Sequence, residues 1–248
     1  MRLTTINNYL VKLKETHSVE QIHQLCDDFC AEFGFDAFLF ALRVPTSFTN
    51  SQMILINGYP SDWRDHYFEQ DYLPKDPTVA YCTQNILPLE WHSLSETLDK
   101  KKTETQIMHE ASDFGLKDGV SMPVHTPNGE FGIFSCTIDQ DNKAANNHIE
   151  HASMYVQLMA THVHEAVRNA FGLNAAAKDS IQLTKREKEC LRWAAEGKTA
   201  WETSQILKVS ERTVNYHLTN TNQKLNVSNR QHAVAKAVFN GIISPYPF

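Results

Sequence analysis

"GVSMPVHTPNGEFGIFSCTID", residues 119–139, reads as two strands folded back at Pro127-Asn128-Gly129, residue types that mark a tight turn between apolar runs. Successive side chains of a strand point to opposite faces. The second strand therefore puts Phe131, Ile133, Ser135 and Thr137 on one side and Phe134, Cys136 and Ile138 on the other. A sheet with one wet face would alternate apolar with polar residues. Here both faces carry apolar side chains, so helices are expected on both sides of the sheet, as an α/β/α sandwich. Ser135 is odd, a hydroxyl in line with Phe131 and Ile133. It is either a satisfied core serine or a group aimed at something bound.

Working outward, "FDAFLFALRV" (35–44) and "SQMILING" (51–58) supply two more strands, separated by a turn that contains Pro45. Helices are expected over 4–15, 19–33, 61–70, 76–84 and 103–115, the last stopped by Gly115. Asp76-Pro77 suits a helix start, because aspartate is a good N-cap and proline fits the first helical position. Over 145–172, Ile149, Ala152, Val156, Met159, Val163, Ala166 and Ala170 recur at alternating three- and four-residue spacing, one long apolar seam. The seam packs on the domain's own sheet or enters a homodimer interface; the pattern leaves both open. "GLNAAAKDSIQ" (172–182) breaks the composition and is expected to be a linker. The predicted class is α+β: a sandwich domain over 1–171, the linker 172–182, and a helical domain over 183–248.

The 248 residues, 42% hydrophobic and 21% charged, suit two globular domains. No apolar run approaches the roughly 20 residues of a membrane span, and the N-terminal stretch lacks the apolar core of a signal peptide. Cys26, Cys30, Cys82, Cys136 and Cys190 are scattered and form no CxxC pair. They read as free thiols in a reducing cytoplasm. His148 with His151, and His162 with His164, lie on the long helix without the further ligands of a metallohydrolase, and read as solvated. No serine or cysteine has a base at motif spacing. Neither an enzyme nor a metal site is expected. The net charge of −6 hides an asymmetry: Lys178–Phe248 carries +5 and the rest −11, so only the tail is suited to a polyanion.

That tail, "LTKREKECLRWAAEGKTAWETSQILKVSERTVNYHLTNTNQKLNVSNRQHAVAKAVFNGII" (183–243), is the most legible segment. Thr184 with Glu187 and Thr199 with Glu202 are capping boxes, opening one helix that stops at Gly197 and another that runs to about Lys208. Ser210 caps a third helix, Glu211 to Leu225, after a short turn of helix-turn-helix length. A fourth runs through 230–241 with Ala233, Val234, Ala237 and Val238 inward. On the third helix, Val214, Leu218, Thr221 and Leu225 share one side, while Arg212, Asn215, Tyr216, Thr219 and Gln223 lie on or beside the other. Those are groove-reading types, such as Arg for guanine and Asn or Gln for adenine.

With Glu187, Leu191 and Gly197, "SERTVNYHL" and "KLNVSNR" in place, the segment resembles the DNA-binding domain of LuxR-type regulators, a four-helix bundle. The resemblance adds Thr199 to the DNA-contacting set. Three positions depart from the family pattern. Lys208 stands where glycine is usual, and a non-glycine residue held at positive φ costs on the order of 1 kcal/mol. Thr203 and Ser204 replace an aliphatic and a small residue.

The remaining puzzle is "NGYPSDWRDHYFEQDYLPKDPTVAYCTQ" (57–84), too charged for a core and too aromatic for a surface. Trp63, Tyr67, Asp76, Pro77, Trp91 and Gly119 match the pattern of acyl-homoserine-lactone receptors, and the stretch resembles their LasR-like branch. The resemblance implies a ligand rather than a cofactor. Trp63 donates to the lactone carbonyl, Asp76 accepts from the amide N–H, and Tyr59 and Ser135 donate to the amide carbonyl. Trp91 packs on the lactone ring, Tyr67 walls the acyl tail and Thr78 supports Asp76. Arg64 either lines the tail region or pairs with an acid at the rim. The implied protein is a cytoplasmic homodimer that binds double-stranded DNA at a palindromic promoter site and acts with RNA polymerase, as an activator in quorum sensing. A different small molecule, or none, is the competing expectation.

Overall fold

Strict alternation builds the first strand. In β1 (Ala37–Pro45), Phe38, Phe40 and Leu42 are fully buried on one face, while Ala37, Leu39 and Ala41 turn the other way. The computed structural model describes residues 2–97, 102–140, 143–173 and 181–244. In it β1 pairs antiparallel with β2 (Ser51–Asn57) on one side and β5 (Phe131–Ile138) on the other. β4 (Asp118–His125) and the two-residue β3 (Leu89–Glu90) complete a sheet of order β2-β1-β5-β4-β3. All eight residues of β5 are buried, as its two apolar faces require. Only glycine fits at 119, because a Cβ there would stand 2.6 Å from the Cys136 carbonyl oxygen across the strand pair.

One face is covered by α1 (Arg2–Glu15), α2 (Val19–Phe33) and α7 (Lys143–Ala170), which close a core around Phe29, Phe38, Phe40, Phe134 and Met159. The other carries α3 (Ser61–Glu69), α4 (Pro77–Gln84), α5 (Trp91–Thr97) and α6 (Lys102–Asp113), with a separate cluster around Trp63, Tyr72, Trp91 and Ile107. β3 and α5 carry no periodic signal long enough to show in the sequence. The seam of α7 from Ile149 to Ala166 is buried in its own domain's core, with Ala170 at its margin. That uses up the seam, so any self-association needs another surface. His164, expected to be solvated, is buried beside Val163, with Phe40 edge-on at 6.3 Å and Arg168 bonded to its neighbour Glu130. It falls on the sheet-facing side of the helix rather than the wet one.

The chain divides into two compact units, Met1–Thr126 with Glu130–Leu173 in the first and the C-terminal helices in the second. The expected linker falls mainly at 174–180, outside the described residues. The second unit packs α8 (Lys185–Ala195), α9 (Ala200–Leu207), α10 (Glu211–Leu225) and α11 (Arg230–Phe239) around Leu191, Val214, Leu218, Leu225, Ala233 and Ala237. Both capping boxes form. Glu187 does double duty: its Oε2 accepts from the Thr184 N–H and from Lys224 Nζ, each at 2.8 Å, tying α8 to α10. These bonds hold its carboxyl below the usual range in spite of its desolvation. Lys208 takes the left-handed conformation, φ 54° and ψ 48°, as the cap of α9. The hydroxyl of Ser204 donates to the Trp201 carbonyl at 2.6 Å, while Thr203 Oγ1 is buried without a partner. Val238 corrects the expected inward face of α11. It is 50% exposed, because Ala233 and Ala237 make the contact one turn apart and the next residue rotates away from it. Among the described residues no helix is long and apolar enough to cross a membrane.

Candidate ligand cavity and DNA-reading face

Between the sheet and the α3–α6 layer lies a cavity of about 110 Å³, several times the space one water needs. Leu39, Ala41, Ile133 and Ser135 form its floor, and Met53 and Leu55 its edge on β2. Tyr59, Trp63, Arg64, Tyr67, Asp76, Thr78 and Trp91 all line it with Ser135, so residues spread over 77 positions of sequence converge on one space.

Asp76 is the N-cap of α4. Its Oδ1 accepts the Thr78 N–H at 2.7 Å and its Oδ2 the Tyr67 hydroxyl at 2.8 Å. Burial raises its carboxyl above the ordinary aspartate value, although both bonds favour the charged form. The Tyr67 hydroxyl is raised too, first by burial and then by the Asp76 charge. Tyr59 differs. Its hydroxyl is fully enclosed and has no hydrogen-bond partner; Ser135 is near enough to act on it but outside bonding geometry. Burial dominates and raises this hydroxyl as well.

Ser135 is engaged from the side. Its Oγ lies 2.7 Å from Ser121 Oγ, which accepts the Trp91 indole N–H at 2.9 Å. Sequence reading missed Ser121, yet the signal existed: Ser121 and Ser135 are equidistant from Asn128, so a hairpin centred there pairs them. It also missed most of the apolar lining, including Leu39, Leu55 and Met108. Trp63 stacks into an aromatic group, with ring centres 5.7 Å from Tyr67, 6.4 Å from Tyr72 and 5.5 Å from Phe114. Behind it, Glu110 accepts from Tyr72 at 2.6 Å and meets His66 at 2.7 Å; these bonds bring its carboxyl down to about 2. Arg64 both lines the cavity and pairs with its neighbour Asp65 at 2.9 Å, near the exposed rim.

In the second unit, Val214, Leu218, Thr221 and Leu225 of α10 are buried, and Arg212, Asn215, Tyr216, Thr219 and Gln223 are exposed on the rest of its surface. Ser210 caps the helix by accepting the Thr213 N–H at 3.1 Å, which leaves the N-terminus of α10 open to solvent. Thr199 is exposed, but its hydroxyl already donates to Glu202 at 2.9 Å within the capping box.

Residues 18–167 match the model of the autoinducer binding domain, and residues 181–237 match that of bacterial regulatory proteins of the luxR family. The chain is 36% identical over 237 residues to the transcriptional activator protein LuxR of Aliivibrio fischeri, covering 95% of this chain and 93% of that one. Its fold is similar to that of SdiA from Escherichia coli, with TM-score 0.69 and 24% identity over 98% of this chain and 100% of the other. SdiA has also been solved in complex with octanoyl-rac-glycerol. The N-acylhomoserine-lactone-dependent factor CepR2 of Burkholderia cenocepacia is similar over 68% of this chain and 96% of its own, with TM-score 0.58 and 20% identity. A cavity in a sandwich domain, a helix with an exposed polar face in a four-helix bundle and these matches over nearly the whole length lead to one assignment: the chain belongs to the LuxR family of transcription regulators, built from an autoinducer-binding domain and a helix-turn-helix DNA-binding domain, a family of regulators and not of enzymes.

Proposed function

We propose that the autoinducer is an N-acyl-homoserine lactone and that its binding licenses a homodimer to activate transcription. The observation that carries the ligand class is the enclosed, unpartnered Tyr59 hydroxyl facing the same apolar cavity as the buried Asp76. A buried polar atom without a partner is costly. An amide supplies what both need: a carbonyl that accepts from Tyr59 and Ser135, and an N–H that donates to Asp76. Trp63 donates to the lactone carbonyl, Trp91 packs on the ring and Thr78 holds Asp76 in place. Tyr67 walls the tail, which runs along Leu39, Leu55 and Met53 toward the β2 edge, with Arg64 at the rim.

Arg212, Asn215, Tyr216, Thr219 and Gln223 read the major groove, and Thr199 meets the DNA backbone beside them. Two copies would then address a palindrome whose half-sites lie about one helical turn apart, with RNA polymerase as the downstream partner in the cytoplasm. Activation follows the function given for LuxR of Aliivibrio fischeri. The test is expression in the presence of a mixed panel of lactones and monoacylglycerols, followed by mass spectrometry of what co-purifies. Recovery of a lactone, lost in Trp63→Ala and Asp76→Ala, supports the reading. Recovery of a monoacylglycerol, as the SdiA complex illustrates, would replace it.

A further inference from the structure

We propose that Glu90, His92 and Glu150 form a binding site for one divalent transition-metal ion, at the β3 edge of the sheet. Glu90 and His92 stand two residues apart, and Glu150 comes from a distant segment of the chain. Glu90 ends β3, His92 lies in the first turn of α5, and Glu150 lies on α7. The fold brings them together. Glu90 pairs with Val120 of β4, and directly opposite residues of a strand pair share a face. Val120 belongs to the core beneath α7, so Glu90 turns to the α7 side. One ligand atom of each of the three residues lies within 4.8 Å of the other two.

His92 sets this group apart from a patch of surface acids. Its Nδ1 faces Asp118 Oδ2 at 3.2 Å. Asp118 is buried and anchored, since its Oδ1 accepts the backbone N–H of Gly119 at 2.7 Å and of His92 at 3.1 Å. A fixed carboxylate at Nδ1, with Nε2 turned toward Glu90, is the arrangement that orients metal-ligating imidazoles. Nε2 stands 3.4 Å from Glu90 Oε2. With metal–ligand bonds of about 2.0–2.1 Å, neighbouring ligand atoms of a tetrahedral ion are separated by about 3.4 Å. The pair is already at binding distance, and exposed Glu150 closes the third position by a side-chain rotation. Water takes the fourth. One imidazole with two carboxylates suits zinc. Such an ion would tie β3 and α5 to α7 across the sheet edge. It would also fix the backbone next to Trp91, which lines the cavity.

The competing arrangement is a protonated His92 held between Glu90 and Asp118 with no ion, and it takes up no metal. The full chain is stripped with a chelator, any co-purified small molecule being left in place, and titrated with Zn²⁺ by calorimetry and with Co²⁺ by visible absorption. One equivalent of zinc is expected, with the intense absorption of tetrahedral Co²⁺. Glu150→Gln, at an exposed helix position that leaves folding intact, should weaken binding at least tenfold and remove the cobalt signal. His92→Ala should do the same. His151→Ala, on an adjacent exposed histidine, should change neither. No uptake of zinc, loss of it in His151→Ala, or wild-type affinity in either Glu150→Gln or His92→Ala overturns the proposal.

Discussion

Tyr59→Phe should move two quantities in opposite directions. In the ligand-free protein the Tyr59 hydroxyl is enclosed with no protein partner. A donor left in that state costs about 1–3 kcal/mol. Phenylalanine keeps the ring and removes the penalty, so the free variant should be more stable by up to about 1–2 kcal/mol. For a unit of this size each kcal/mol raises the melting temperature by about 2–4 °C. The proposed complex pairs that hydroxyl with the ligand's amide carbonyl, so the wild type recovers the penalty on binding and the variant does not. The affinity of the variant should fall by about 1–3 kcal/mol, or roughly 5- to 150-fold. The cavity has room for water. A water on Tyr59 takes the stability gain toward zero and the affinity loss to about 0.5–1.5 kcal/mol, with no change of sign. At 100 times the dissociation constant a ligand adds about 2.7 kcal/mol of stability, and a tenfold weaker complex about half of that at the same concentration. Thermal unfolding with and without lactone, in both proteins, reads all of these terms. A free variant that melts lower than wild type would show that the hydroxyl has a partner in the free protein. Unchanged lactone affinity would remove Tyr59 from the head-group contacts.

Lys208→Gly should stabilise the C-terminal unit by about 0.5–1 kcal/mol, since a left-handed non-glycine residue costs about 1–2 kcal/mol and glycine forfeits roughly 0.5–1 in chain entropy. The side chain is exposed, so nothing is lost with it; a variant that unfolds at lower urea would contradict this. Arg212→Ala should weaken operator binding by about 1–3 kcal/mol if the guanidinium reads guanine, or lower the salt dependence by about one phosphate contact if it does not. Anisotropy titrations at several salt concentrations separate these, and wild-type behaviour in both would take Arg212 out of the interface. Glu110, held near 2, contributes stability that is fully present above the ordinary glutamate value of 4.5 and is lost as pH falls toward 2. Glu110→Gln should therefore flatten the acid limb of the unfolding curve, and an identical limb would count against the Tyr72–His66 bonds as its cause.

The fold was legible where periodicity is long. The seam of α7, the alternation in β1 and the doubly apolar β5 each show in a run of residues, although the seam's partner, its own sheet or a second copy, was settled only by the fold. Capping signals were equally readable, because Thr184 with Glu187 and Asp76 with Pro77 act within one helical turn. What escaped was contact between distant segments. Nothing near His164 announces that its helix face meets Phe40 and Glu130. Two residues of β3 are too few to show a period. At the candidate site, the resemblance to acyl-homoserine-lactone receptors supplied the polar residues, but only the strand register puts Ser121 opposite Ser135, and only the folded chain shows Tyr59 without a partner.

The fold sets opposite requirements at two of the cavity's polar groups. Asp76 is already held by Tyr67 and Thr78, so its remaining lone pairs are aimed before a ligand arrives and favour a donor. Tyr59 is a donor without an acceptor. A ligand that brings one donor and one acceptor side by side, as an amide does, satisfies both. A fatty acid brings acceptors only, and its carboxylate beside Asp76 forces the pair to share a proton, since like charges at close range raise each other's pKa. The two ligand classes should consequently show opposite pH slopes. An amide N–H stabilises ionised Asp76, whose carboxyl is raised in the free protein by burial, so lactone affinity should fall with falling pH, beginning above the ordinary aspartate range. Well below the free protein's Asp76 value the loss approaches about tenfold per pH unit, the slope of one linked proton. Fatty-acid affinity should rise over the same interval, because binding takes a proton up. Calorimetric titrations of the full chain with a lactone and with the acid of matching chain length measure both slopes, and Asp76→Asn should flatten the lactone slope. Parallel slopes for the two ligands would mean that Asp76 does not meet the head group and that selection for it is made elsewhere in the cavity.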